Sequence, residues 1–138
     1  MILAFRFMVA GVVLCLLAAC ATTSTPLAPE EVIQQRAQAR WDALVARDFQ
    51  SAYQYLTPGF RDQTESGEYI GMMAGRSVLW TGAEVLAVTC EGPRRCTVRV
   101  NVAYTVPAGP TGIRGMKMNR TISEAWLNLA EDWWVSLD

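Results

Sequence analysis

Histidine is absent from this chain. That removes histidine general bases, Ser-His-Asp triads, Cys-His dyads and histidine-ligated zinc together. An excess of positive charge is also missing. Twelve Lys and Arg stand against thirteen Asp and Glu, for a net charge of -1, so nucleic acid is not an expected partner, because binding it would call for a strongly basic face. No apolar run reaches the roughly 20 residues that a membrane-spanning helix needs. With 138 residues the chain is sized for one domain. The residues offer no recognisable cofactor or metal motif, and none is expected.

What is present begins with the leader. Eighteen of the first 20 residues are apolar, and without them the hydrophobic content falls from 51% to 45%, that of an ordinary soluble domain. Arg6 is the only charge before Glu30, and Phe7–Ala19 is a stretch of 13 residues, all apolar but Gly11, the length of a signal-peptide core. It ends at Leu17-Ala18-Ala19-Cys20 and gives way to the polar Ala21-Thr22-Thr23-Ser24-Thr25-Pro26. Small residues followed by a cysteine resemble the lipobox of bacterial lipoproteins. The resemblance implies that 1–19 is a cleaved signal peptide, that Cys20 carries the lipid, and that 20–29 is a tether. It implies a membrane partner through the anchor at Cys20 and a place in the bacterial cell envelope. Alanine rather than aspartate at position 21 resembles outer-membrane sorting, with the domain facing the periplasm.

Two of the four cysteines then remain for the body, Cys90 and Cys96. In an oxidising compartment they are expected to form a disulfide. The enclosed Glu91-Gly92-Pro93-Arg94-Arg95 reads as a turn between two strands. A metal or redox role fits poorly, since the spacing is not Cys-x-x-Cys and no further ligand is at hand.

The body reads as helices first and strands second. Ile33, Ala37, Trp41, Leu44 and Val45 recur at helical spacing, which predicts a helix over 30–47 with Glu30 and Glu31 in its first turn. Arg36, Arg40 and Arg47 are expected on its surface. Asp48 is placed to cap a helix over 49–56, with Phe49, Ala52, Tyr53 and Leu56 inward. Thr57-Pro58 starts another, anchored by Phe60, and Ser66 a last one ending at Gly75. Residues 97–106 then alternate, with Val98, Val100, Val102, Tyr104 and Val106 on one face and Arg99 and Asn101 on the other. Residues 85–90 are the expected hairpin partner. After a Gly- and Pro-rich stretch at 107–117, a strand over 118–130 turns at Glu131-Asp132 into a last strand over 133–137. The predicted class is α+β, with helices covering one face of a four-stranded antiparallel meander.

The segment Trp41 to Pro58, which carries Ala52-Tyr53, Leu56 and Pro58, resembles the opening of the nuclear transport factor 2-like (NTF2-like) superfamily. Glu124-Ala125-Trp126-Leu127 and Asp132-Trp133-Trp134-Val135 resemble its closing strands. The resemblance covers 30–138 and implies a cone: a curved sheet wrapped on helices, with one open end. It also implies homodimers through the sheet face. Superfamily enzymes, among them isomerases, cyclases and hydrolases, place ionisable residues inside the cone. The positions here that could line such a pocket are Asp42, Tyr53, Tyr104 and Trp126, with Glu124 beside the last. No set of them matches a catalytic pattern of those enzymes, so no catalytic residue is assigned. The expected function is a lipid-anchored envelope protein of non-enzymatic type, binding a protein partner or a small apolar ligand. Two alternatives are a small cyclase- or isomerase-type enzyme using a carboxylate in the cone, and a structural subunit of an envelope or secretion complex. A cone filled by Val98, Val100, Val102 and Tyr104 would argue against an enzyme. An open one holding Asp42 or Glu124 would argue for it. Of Trp133 and Trp134, adjacent on one strand, one must point away from the helices.

Overall fold

A computed structural model describes residues 26–137. The leader, the lipobox with Cys20, and most of the tether lie outside them. The order is α1 (Pro29–Val45), α2 (Phe49–Tyr53), α3 (Pro58–Gln63), α4 (Ser66–Ala74), then β1 (Leu79–Cys90), β2 (Arg95–Thr105), β3 (Met118–Leu129) and β4 (Asp132–Ser136). The four strands form one antiparallel meander in the order β1-β2-β3-β4. The molecule is the α+β arrangement that the alternation predicts. No described helix is long and apolar enough to cross a membrane.

α1 forms where the apolar spacing requires it. Pro29 occupies its first turn, where a missing N–H costs nothing. It buries Ile33, Ala37, Arg40, Trp41 and Leu44 against the sheet. Arg40 on that stripe corrects the expectation that it lies on the surface. The chain leaves α1 through Arg47, whose φ of 59° is left-handed. The N–H of Asp48 closes on the Ala43 carbonyl at 2.8 Å, the exit usually given to glycine. Asp48 then caps α2 by accepting from the Ser51 N–H at 3.1 Å.

α2 ends at Tyr53, short of the expected Leu56, because Leu56 is needed elsewhere. It bridges Val135 of β4, flanked by hydrogen bonds from Val135 N to Tyr55 O and from Thr57 N to Val135 O. This covers one edge of the sheet. Gln38 on α1 covers the other: its side-chain oxygen accepts from Val85 N at 3.0 Å, and its nitrogen donates to Ala83 O at 3.0 Å. Open strand edges invite pairing with other chains, and the fold's own polar groups cap part of each here, at Val135 on β4 and at Ala83 and Val85 on β1. Thr57 caps α3 as expected. α4 departs slightly, with Glu65 rather than Ser66 at the cap and Ser66 as the first helical residue.

β1 is twice the expected length. Its alternation is broken by register shifts between Trp80 and Gly82 and between Val85 and Ala87, and such bulges erase a period-two pattern from the sequence. The β3–β4 turn sits one residue early, with Ala130 and Glu131 both at positive φ, as a tight hairpin requires. Cys96, Val98, Val100, Val102, Trp126, Trp133 and Val135 meet the helices to form the core. Cys90 and Cys96 pair directly across the β1–β2 ladder with their sulfurs 2.05 Å apart, disulfide distance.

Candidate functional site

Side chains two apart on a strand share a face. β3 therefore presents Arg120, Ile122, Glu124 and Trp126 in a row beneath the helices, opposite Val102, Val100, Val98 and Cys96 of β2. Trp126 is fully buried and closes the deep end. At the other end a cleft of about 430 Å³ opens between helices and sheet. α1 contributes Arg40, Trp41 and Leu44 to its wall. Met73 and Arg76 come from α4 and the chain after it, and Trp80, Val102, Tyr104 and Ile122 from the sheet. The cone is thus filled by Val98 and Val100 at its base and open above Val102.

The carboxylate of Glu124 is the polar centre of this space. Arg40 Nη1 donates to its Oε1 at 2.7 Å and Trp41 Nε1 to the same oxygen at 3.1 Å, while Trp126 Nε1 reaches Oε2 at 3.4 Å. Both charged side chains are withdrawn from water, 5% exposed for Arg40 and 9% for Glu124. Two buried polar atoms nearby, Arg40 Nε and Tyr69 Oη, miss ideal hydrogen-bond geometry, and their side chains face one another. Burial pushes the Tyr69 phenol above its ordinary pKa. The Arg40 and Arg76 guanidiniums oppose that shift, and the Glu124 carboxylate adds to it. Trp80 stands edge-on to Trp41 with ring centres 5.6 Å apart, and the Arg76 guanidinium lies over Trp80 at 5.6 Å. Arg76 and Arg120 are exposed at the rim. Among the described residues the only ion pairs are Arg36–Asp132 and Arg40–Glu124, so three guanidiniums line the cleft against one carboxylate.

Of the four residues expected to line a pocket, the structure brings Tyr104 to the cleft. Asp42 does not reach it. It points outward from α1, accepts from Gln38 Nε2 at 2.9 Å, and borders a shallow polar groove beside Leu27 and Glu31. Tyr53 is buried below α3 and α4, where its hydroxyl donates to the carbonyls of Thr64 and Arg61 at 2.8 and 3.2 Å. That contact ties the short helices together and serves structure. Trp126 lies beneath the cleft and touches it only through Glu124. The tryptophan facing away from the helices is Trp134, half-buried beneath Arg36 and Arg61 with their guanidiniums 5.5 and 4.8 Å from its ring. Arg40, Arg76 and Arg120 were not singled out by sequence reasoning. For Arg40 a signal existed: it sits three residues after Ala37, on the buried stripe. For Arg76 and Arg120, only the folded sheet and the end of α4 bring them together.

No protein-family profile and no curated protein matches the chain. Solved structures do match in fold. A SEC-C motif containing protein from Rhodopseudomonas palustris is 18% identical, with a TM-score of 0.54 over 72% of this chain and 71% of the other. A second SEC-C motif containing protein, from Psychrobacter arcticus, is 13% identical at a TM-score of 0.56, covering 81% of this chain and 62% of its own. A protein assigned as an NTF2-like transpeptidase from Campylobacter jejuni is 14% identical at a TM-score of 0.53, covering 77% of this chain and 98% of the other. At these identities the likeness is one of fold, and the fold is NTF2-like.

Proposed function

We propose that the protein is a lipid-anchored binding protein of a bacterial cell envelope, held at the membrane through Cys20 and taking a small, largely apolar molecule into the open end of its cone. The observation that carries the binding half is the cleft itself. It is large enough for a ligand and walled mainly by Trp41, Leu44, Met73, Val78, Trp80, Val102, Tyr104 and Ile122. The anchoring half rests on the Leu17-Ala18-Ala19-Cys20 sequence after an apolar run. Palmitate labelling of cells making the wild-type chain or Cys20→Ala tests it: label on the wild type alone is expected, and equal label on both refutes the anchor.

A second reading has one observation in its favour: Glu124 does line the open cleft, as a carboxylate-dependent enzyme would need. Against it, Oε1 already accepts from Arg40 and Trp41 and Oε2 from Trp126. A base needs a lone pair aimed at its substrate, and the remaining charged groups of the cleft are guanidiniums, which do not exchange protons near neutral pH. The two readings separate on the molecule that co-purifies with the protein. The same compound recovered from wild type and Glu124→Gln supports binding. Precursor with Glu124→Gln and product with wild type supports catalysis. A pull-down from detergent-solubilised membranes tests the remaining possibility, a subunit of an envelope complex, by stable recovery of membrane partners.

A further inference from the structure

Arg40 is matched by Glu124, but Arg76 and Arg120 line the same cleft with no acidic partner among the described residues. Like charges gathered at one mouth repel, and an arrangement that concentrates them suits a ligand that neutralises them. Arg40 adds a second sign: it is 4% exposed and yet lines the cleft, so it holds a positive charge at the floor of that space. Below this cationic rim the walls are aromatic and aliphatic, with Trp41 and Trp80 edge to face at 5.6 Å.

We infer that the ligand is an anionic amphiphile. Its single carboxylate- or phosphate-type head is held by the guanidiniums of Arg76 and Arg120, with the charge of Arg40 behind them, and its apolar body lies against Trp41, Trp80 and Tyr104. Guanidinium is suited to both head groups, because its planar fork matches either one in paired hydrogen bonds. This assignment rests on the cleft being a ligand site and adds the charge of the ligand to it.

The test uses two fluorescent probes with the same ring system, anilinonaphthalene sulfonate and the neutral phenylnaphthylamine. The core lies between Ile33 and Val135, so the chain from Pro26 onward carries the fold and is used without the leader. The sulfonate is expected to bind about tenfold tighter than the neutral probe at low salt, the scale of one charge-assisted contact. Arg76→Ala and Arg120→Ala are each expected to weaken the sulfonate severalfold while leaving phenylnaphthylamine within about twofold, as for an electrostatic contact at a partly exposed site. Equal binding of the two probes, or arginine variants that leave the sulfonate unaffected, overturns the anionic assignment. Two cleft-filling variants, Ile122→Trp and Val78→Trp, report on the cleft separately. Loss of both probes there upholds the site whatever the ligand's charge. Retention of both, or no binding of either to wild type, refutes the site and with it the assignment. Competition then names the head group: displacement by laurate assigns a carboxylate, by dodecyl phosphate a phosphate, and by both a site that reads charge alone. Displacement by dodecanol alone overturns the proposal.

Discussion

Replacing Glu124 with leucine should be among the most damaging single changes available to this fold. The substitution keeps most of the volume and removes the charge. Arg40 would then sit 5% exposed with its one carboxylate partner, 2.7 Å away, gone. The indole N–H groups of Trp41 and Trp126 would lose their acceptor as well. Breaking a buried pair from one side costs about 3–5 kcal/mol. At roughly 4 °C per kcal/mol for a domain of this size, the melting temperature should fall by about 12–20 °C. Arg40→Met should cost less, since Glu124 keeps two indole donors. The pair Arg40→Met/Glu124→Leu should recover the part of the loss that comes from the stranded Arg40 charge, while the Trp41 and Trp126 indoles stay without their acceptor. Thermal melts of the four proteins, read as a double-mutant cycle, give the coupling. A Glu124→Leu protein melting within about 2 °C of wild type, corresponding to less than about 1 kcal/mol, would refute the reasoning. So would single effects that simply add.

Other consequences are more local. Cys90→Ala/Cys96→Ala opens a short loop and should destabilise by about 2 kcal/mol, seen as a lower denaturation midpoint that reductant does not lower further. Tyr69 titrates above its ordinary value of 10.0 in the fold, so its contribution is fully present below that pH and is lost as pH rises through the folded value. Near-ultraviolet absorbance should show a phenol ionising above that ordinary value, and Tyr69→Phe should remove that phase. Asp48 is held below its ordinary value of 3.8 by the Ser51 hydroxyl and N–H. Its contribution is present above 3.8 and lost as pH falls through the folded value. Asp48→Ala should therefore lower the melting temperature at neutral pH, by an amount that shrinks in strong acid. Gln38→Leu leaves Val85 N and Ala83 O without their side-chain partners and should cost about 1–3 kcal/mol, with faster amide exchange at Val85.

Much of this architecture is legible in the sequence because the two periods are clean. The 3.6-residue spacing through Ile33, Ala37, Trp41 and Leu44 identifies α1, and the alternation from Val98 to Tyr104 identifies β2. What the sequence hides has physical causes. The first half of β1 is masked by two bulges. α2 ends early because Leu56 is recruited by β4, a contact 79 residues away in sequence. The site was harder to read than the fold. Arg40 looks like a surface residue until Glu124, 84 residues later, supplies its counter-charge. Asp42 looked more promising only because carboxylates are the usual candidates for chemistry. Helical geometry settles the matter: one position past Trp41 is about 100° around the helix, which turns Asp42 from the cleft to the outer face.

The central claim is that the open end of the cone is a binding site, and equilibrium titration of the folded domain with phenylnaphthylamine tests it most directly. Wild type should bind one probe per chain with saturable enhancement of fluorescence. Ile122→Trp and Val78→Trp, each expected to fill the cleft and checked by thermal melting for a cooperative fold, should bind none. Identical titrations for wild type and both cleft-filled variants would contradict the account.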